Sequence, residues 1–159
     1  MTLYHGTNAT FDQIDLLKSK PNKDFGLGFY LSDNYEQAME MAKIKTEQLE
    51  CGQPVVMTYE VNEEDVKKLQ LKTLQFTRYD EEWAKFILMN RRNDKRGNVH
   101  DFDIVVGPIA NDRVGVQLWK YESNAIDLPT LVKRLSYIKG VTIQYFFGTE
   151  RAIKLLKRV

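Results

Sequence analysis

Two short blocks near the start of the chain carry the residue types best able to hold a nucleotide. Leu3-Tyr4-His5-Gly6-Thr7 sets a histidine directly before a glycine, and Gly26-Leu27-Gly28-Phe29-Tyr30-Leu31 sets an aromatic pair behind glycines. The imidazole of His5 offers one donor and one acceptor to sugar hydroxyls. Gly6 lets a backbone amide approach a ligand closely, because no Cβ intervenes. Tyr30 supplies a stacking face with a polar tip. Together these residues suit a site that grips a flat ring and a ribose. Singly, each has a plainer reading as a hydrogen-bonded structural histidine or a core tyrosine.

Other chemistry-bearing residues divide less clearly. Gly26 and Gly28 belong to no phosphate loop, since neither a Gly-Lys-Ser nor a strand-to-helix Gly-x-Gly-x-x-Gly is present. Cys51 is the only cysteine and has no cation or histidine beside it, which makes it incidental. His100 has no second histidine or cysteine at metal spacing and reads as a surface turn residue. No metal site is expected. Asp101 and Asp103 share a side across Phe102, and either bind an acceptor or guard a strand start. Arg91 either borders a cleft or complements a helix C-terminus. The cation-rich runs Arg91–Arg96 and Lys154–Arg158 read as a helix end and a charged tail.

The elements that must position these residues follow from the pattern. Leu3–Thr7 reads as a strand, and Asn8–Leu27 as a loop anchored by Phe11, Ile14 and Leu17. Phe29–Leu31 is a second strand. Asp33 with Glu36 three residues on predicts a capped helix to about Glu50, burying Tyr35, Ala38, Met39, Ala42 and Leu49. Val55–Val61 is a strand, Asn62 caps a helix over Glu63–Lys68, and Leu69, Leu71 and Thr73 alternate as an edge strand does. Asp80 opens a helix that buries Trp83, Phe86, Ile87 and Asn90. Phe102–Val106 is a buried strand closed by Gly107-Pro108. Asn111 or Asp112 caps a helix holding Val114, Leu118 and Trp119. Asp127 caps the next, with Pro129 in its first turn and Leu131, Leu135 and Ile138 inward. Val141–Phe147 is a strand, and Thr149 caps a last helix over Glu150–Lys157. Strands and helices do not alternate strictly. The expected class is therefore α+β, with split, mostly antiparallel twisted sheets and flanking helices.

With 159 residues, 43% of them hydrophobic, the chain can bury a core and is expected to form one domain over 1–159. Its 23 Lys and Arg against 22 Asp and Glu leave a net charge of +1, which excludes a global basic field for nucleic acid. No run reaches membrane-span length and the first residues lack a signal-peptide pattern, so a cytoplasmic location without membrane association is expected.

Tyr4-His5-Gly6-Thr7 followed by Gly28-Phe29-Tyr30-Leu31-Ser32 resembles the ADP-ribosyltransferase superfamily, in its histidine-tyrosine-glutamate branch typified by diphtheria toxin and the poly-ADP-ribose polymerases. The chain is also similar to short bacterial domains of that superfamily, through Gly26–Tyr30, Asp101–Pro108 and Gln144–Glu150. The resemblance implies NAD as co-substrate, no metal, and transfer of ADP-ribose to a protein or nucleic-acid acceptor. It implies that His5 bonds the adenosine ribose, that the Gly6 backbone pairs with the nicotinamide carboxamide, and that Tyr30 stacks on the nicotinamide. Thr7, Gly28 and Phe29 belong to the same blocks, and Met41 falls where a second aromatic covers the ring. A single domain of this kind suits a toxin held by a small antitoxin.

Gln144 stands in the slot of the superfamily's glutamate. Alternation along the strand sends Thr142, Gln144 and Phe146 to one face. Cleavage of the glycosidic bond builds positive charge on the ribose, which a carboxylate beside it stabilises. Glutamine keeps the hydrogen bond and drops the charge, at a typical cost of about 3 kcal/mol. Glu150 either caps the following helix or supplies that charge. The alternatives to a transferase are a module that binds NAD or ADP-ribose without chemistry, and an NAD glycohydrolase.

Overall fold

The computed structural model describes residues 1–159. Its strands are β1 (Thr2–Thr7), β2 (Phe29–Ser32), β3 (Val55–Glu60), β4 (Thr73–Gln75), β5 (Ile104–Pro108), β6 (Ile143–Phe147) and β7 (Lys157–Arg158). They form one sheet in the order β4-β5-β6-β2-β1-β3-β7, antiparallel except between β4 and β5. The helices are α1 (Tyr35–Leu49), α2 (Glu63–Lys68), α3 (Glu81–Arg91), α4 (Asp112–Glu122), α5 (Leu128–Leu135) and α6 (Glu150–Ile153). The class is α+β.

The expected split is a seam inside this single sheet. β1 pairs with β3 along its whole length, from Thr2↔Glu60 to Thr7↔Val55. β2 pairs with β6 from Phe29↔Phe147 to Ser32↔Gln144. Between β1 and β2 only Tyr4↔Ser32 is in register. Beyond that pair His5, Gly6 and Thr7 diverge from Phe29–Leu31, and the seam opens.

Residues opposite one another on paired antiparallel strands share a face. Tyr4, Gly6, Tyr30, Ser32, Gln144 and Phe146 therefore point to one side, and Leu3, His5, Thr7, Phe29, Leu31 and Phe147 to the other. The first side buries Phe146 and Val105 under α3, α4 and α5, with Phe25, Trp83, Ile87, Val114, Leu118 and Leu131. The second buries Leu3, Phe29, Leu31, Met57, Tyr59 and Phe147 with Leu16, Ala152 and Ile153.

Helix α1 covers the Tyr4–Gly6 side of β1, and it does so through small residues. Only Ala38 and Ala42 of α1 are buried. A Cβ on Gly6 would collide with the Ala38 carbonyl oxygen and lie 2.8 Å from the Ala42 nitrogen. The expected burial of Tyr35 and Leu49 fails because the helix sits too close to the strand for large side chains. Tyr35 instead packs edge-on to Tyr4, with centroids 5.5 Å apart, and stays half exposed.

Most caps lie where expected: Asn62, Asp80, Asp127 and Thr149 each accept from a backbone N–H of the first turn. Of the two candidates before α4, Asn111 is the cap. Asn34, not Asp33, caps α1, accepting from the Gln37 N–H, while the Ser32 hydroxyl accepts from the Asn34 N–H. The last helix also ends early. α6 stops at Ile153, Leu155 and Leu156 pack onto the sheet, and the chain continues as β7 against β3. Trp119, expected in the core, is 64% exposed on α4. No helix is long and apolar enough to cross a membrane.

Candidate functional site

His5 stands at the mouth of the seam. Its Nδ1 lies 2.7 Å from the Tyr30 carbonyl oxygen, and its ring stacks on Phe29 with centroids 4.2 Å apart. A carbonyl only accepts, so Nδ1 carries the proton and Nε2 keeps a lone pair. Burial drives the pKa of His5 down from 6.5 to about 4; the bond to Tyr30 opposes this, and the charges of Lys45 and Lys23 add to it. His5 is therefore a neutral acceptor at physiological pH.

A cleft of about 330 Å³ adjoins it. Its walls are His5, Thr7, Phe29 and Tyr30 from the two strands, Gly28 just before β2, residues 8–11, 13–15, 18, 19 and 23 of the intervening loop, and Lys45 from α1. Lys18, Lys23 and Lys45 all line this space. Burial lowers the pKa of Lys45; burial, with the neighbouring charges of Lys45 and Lys20, lowers that of Lys23. Thr7 accepts from Lys45 Nζ at 3.4 Å, and the Ser19 hydroxyl, on the cleft wall, is buried without a partner. Three ammonium groups against one carboxylate, that of Asp15, whose Oδ1 is taken by the Leu17 N–H, together with hydroxyls and a neutral imidazole make a lining suited to a phosphorylated sugar.

Tyr30 is fixed at both ends. Its hydroxyl donates to the Gly26 carbonyl at 2.7 Å and accepts from the Phe25 N–H at 3.1 Å, while its ring meets Phe146 edge-on at 5.3 Å. Burial lifts its pKa well above the usual phenol value. Lys23 Nζ sits 4.9 Å from the ring centroid, so this π-face already takes a cation. Gly26 reaches the turn with φ +94°, where a side chain would meet the Asn98 amide. Asn98 in turn bonds both the N–H and the carbonyl of Leu27, holding the turn from across the fold.

The remaining residues carried over from the resemblance are arranged differently. Gly28 and Phe29 line the cleft, but Gly28 is also where the Phe146 ring packs, within 2.8 Å of an added Cβ. Gly6 is on the α1 side of the sheet, opposite to His5, and Met41 is 53% exposed on α1 and outside the cleft wall. Gln144 shares its face with Tyr30 and lies diagonally from it across β2 and β6, a separation of about 7–8 Å between backbones. It is 8% exposed, on the face opposite His5 and outside the cleft wall, and its Nε2 donates to Asp24 Oδ2 at 3.2 Å.

The other candidate residues have these surroundings. Asp103 is buried, and accepts from the Lys72 N–H, Thr149 Oγ1 and Arg151. Burial alone would raise its pKa, but those bonds outweigh it and hold the carboxyl below the ordinary range. Asp103 thus ties β4, β5 and α6 together, and Asp101 forms an exposed pair with Lys72. His100 is not a surface turn residue: its Nε2 donates to the Phe25 carbonyl at 2.7 Å, and its ring lies among Phe86, Phe102 and Phe146. Arg91 pairs with Asp24 at 2.8 Å. Glu150 is an exposed first-turn residue of α6. Cys51 is exposed.

Sequence reasoning passed over Asp24 and the three lysines. Lys45 carried a signal, because Ala38, Ala42 and Lys45 follow the i, i+4, i+7 stripe that faces β1. Asp24 carried none, being 120 residues from its partner Gln144. A comparison with curated proteins and another with solved structures each find no match. Over residues 1–158 the chain matches the family described as "protein of unknown function (DUF3990)", and it belongs to that family.

Proposed function

We propose that the protein binds NAD at the seam of its sheet and transfers ADP-ribose to an acceptor, acting as a mono-ADP-ribosyltransferase. The observation that supports this best is one cleft holding a neutral His5 beside Lys18, Lys23 and Lys45, with the Tyr30 ring at its margin. The fit follows part by part. A ribose hydroxyl donates to His5 Nε2. The diphosphate meets the lysines, with Lys23 turning from Tyr30 toward it. The pyridinium, itself a cation, takes the ring face that Lys23 leaves.

In the reaction the bond between ribose C1′ and the nicotinamide nitrogen breaks, and its electron pair leaves with neutral nicotinamide. The acceptor nucleophile bonds to C1′ and releases its proton to solvent. Gln144 accepts a hydrogen bond from the 2′-hydroxyl of that ribose as charge develops. The uncharged Gln144 also favours a second reading, a module that holds NAD or ADP-ribose without cleaving it.

Calorimetry with NAD, followed by incubation with labelled NAD and cell lysate, separates the two. Transfer predicts label on protein, RNA or DNA together with nicotinamide release. Binding with release at background favours the module. Lys45→Ala is expected to weaken NAD binding about tenfold and to reduce its salt dependence. Absence of binding to the wild type refutes both readings.

A further inference from the structure

Gln144 is held by a carboxylate that no pattern in the sequence connects to it. Asp24 Oδ1 accepts from Arg91 Nε at 2.9 Å and from a second guanidinium nitrogen at 2.8 Å. Asp24 Oδ2 accepts from the Ala110 N–H at 3.0 Å and from Gln144 Nε2 at 3.2 Å. The Asp24 side chain is 13% exposed. Both of its oxygens are thus engaged twice, and it is fixed from α3, from the segment after β5 and from β6.

This contact decides which way Gln144 points. A carboxylate only accepts, so the amide nitrogen must face Asp24 and Oε1 must face away from it. A glutamate at this position would bring two carboxylates to hydrogen-bond distance, where both cannot be ionised together. The neighbourhood admits an amide and disfavours the acid.

Resting on the transferase reading above, we infer that Asp24, clamped by Arg91, is the positioning residue that keeps Gln144 Oε1 turned away from itself and free to act as the acceptor for the ribose hydroxyl.

Three variants test this: Asp24→Asn, Gln144→Glu, and the two combined. Asp24→Asn lets the amide of Gln144 turn over, so nicotinamide release is expected to fall about ten- to a hundredfold in kcat. KM for NAD should stay within about threefold, because the cleft lysines are untouched. In Gln144→Glu the new carboxyl faces Asp24. The other ionisable groups around Asp24 are Arg91, Lys23, Tyr30 and Tyr79. Carbon-13 NMR of labelled glutamate should then show one carboxyl titrating well above the ordinary range, and the variant should lose thermal stability as pH rises through that titration. In the double variant the amide introduced at position 24 donates to the carboxylate introduced at position 144, so stability and release should both recover to at least wild-type levels.

A Gln144→Glu carboxyl that titrates normally, in a protein as stable as wild type, overturns the contact itself. Wild-type release that Asp24→Asn leaves unchanged overturns the positioning role alone. Absence of release from wild type and double variant alike overturns the transferase reading, and this role with it.

Discussion

Acidification should reveal His5 as a buried neutral base. In the unfolded chain the imidazole takes up a proton near pH 6.5, whereas in the folded protein burial delays this to about 4. A lowered folded-state pKa means that its stability contribution is complete above 6.5 and is lost as pH falls toward 4. Each tenfold change in proton affinity is worth about 1.4 kcal/mol, so the whole interval amounts to about 3 kcal/mol. His5→Asn is the reference, because Asn Nδ2 can occupy the place of Nδ1 and still donate to the Tyr30 carbonyl. It does not titrate, and its lost stack on Phe29 is a pH-independent offset. Urea unfolding of the two proteins from pH 8 to 4 should give a difference that shrinks by about 3 kcal/mol, mostly between 6.5 and 4. His100, also lowered by burial, cancels in the subtraction. NMR of the His5 ring should place its midpoint near 4, and NAD affinity should stay level from pH 8 to about 5. A midpoint near 6.5, or a difference independent of pH, would refute the burial argument and the tautomer derived from it.

Other substitutions probe the rest of the site. Tyr30→Phe removes the partner of the Phe25 N–H and the Gly26 carbonyl but keeps the ring, so it should cost about 2 kcal/mol in urea unfolding while NAD binding stays within about threefold. Tyr30→Leu, which removes the π-face, should weaken binding beyond that. Gly6→Ala forces α1 away from β1 and should destabilise by about 3 kcal/mol or prevent folding, read by circular dichroism on heating. Asp103→Asn leaves the donors of Lys72, Thr149 and Arg151 poorly matched, and should cost about 3 kcal/mol near neutral pH. Since the Asp103 pKa is lowered, the wild-type advantage should persist above the ordinary carboxylate value of 3.8 and vanish as pH falls below it.

Local chemistry was readable where one residue acts on its near neighbours. Asp80, Asp127, Asn62 and Thr149 cap helices because a short polar side chain reaches an N–H two or three residues on. The same logic misplaced the α1 cap by one residue, since Ser32 Oγ had already turned the chain for Asn34. Long-range contacts set what remained hidden. Val114 and Leu118 are four apart and share the buried stripe of α4, whereas Trp119, one residue beyond Leu118, turns off that stripe and its indole faces solvent. α6 ends after one turn because Leu155 and Leu156 gain more from covering the sheet. In the site, the two opening blocks do meet: His5 bonds the carbonyl of Tyr30 across the seam. The pattern did not show that Gly6 is pressed against a helix, or that the lysines of loop and helix converge.

The single registered pair between β1 and β2 gives this sheet edges in its interior. Beyond Tyr4↔Ser32, two central strands turn unpaired backbone toward the seam, a condition that proteins ordinarily confine to the outside of a sheet and guard with charge. Here the guards are the lysine-bearing loop after β1 and the His5 ring, which bridges the gap by a side chain where a ladder bond would otherwise run. Amide exchange should accordingly be fast in the middle of this sheet and slow on either side of it. Cutting back that loop is expected to bare two unpaired strand flanks at the centre of the molecule, and size-exclusion chromatography should then show self-association.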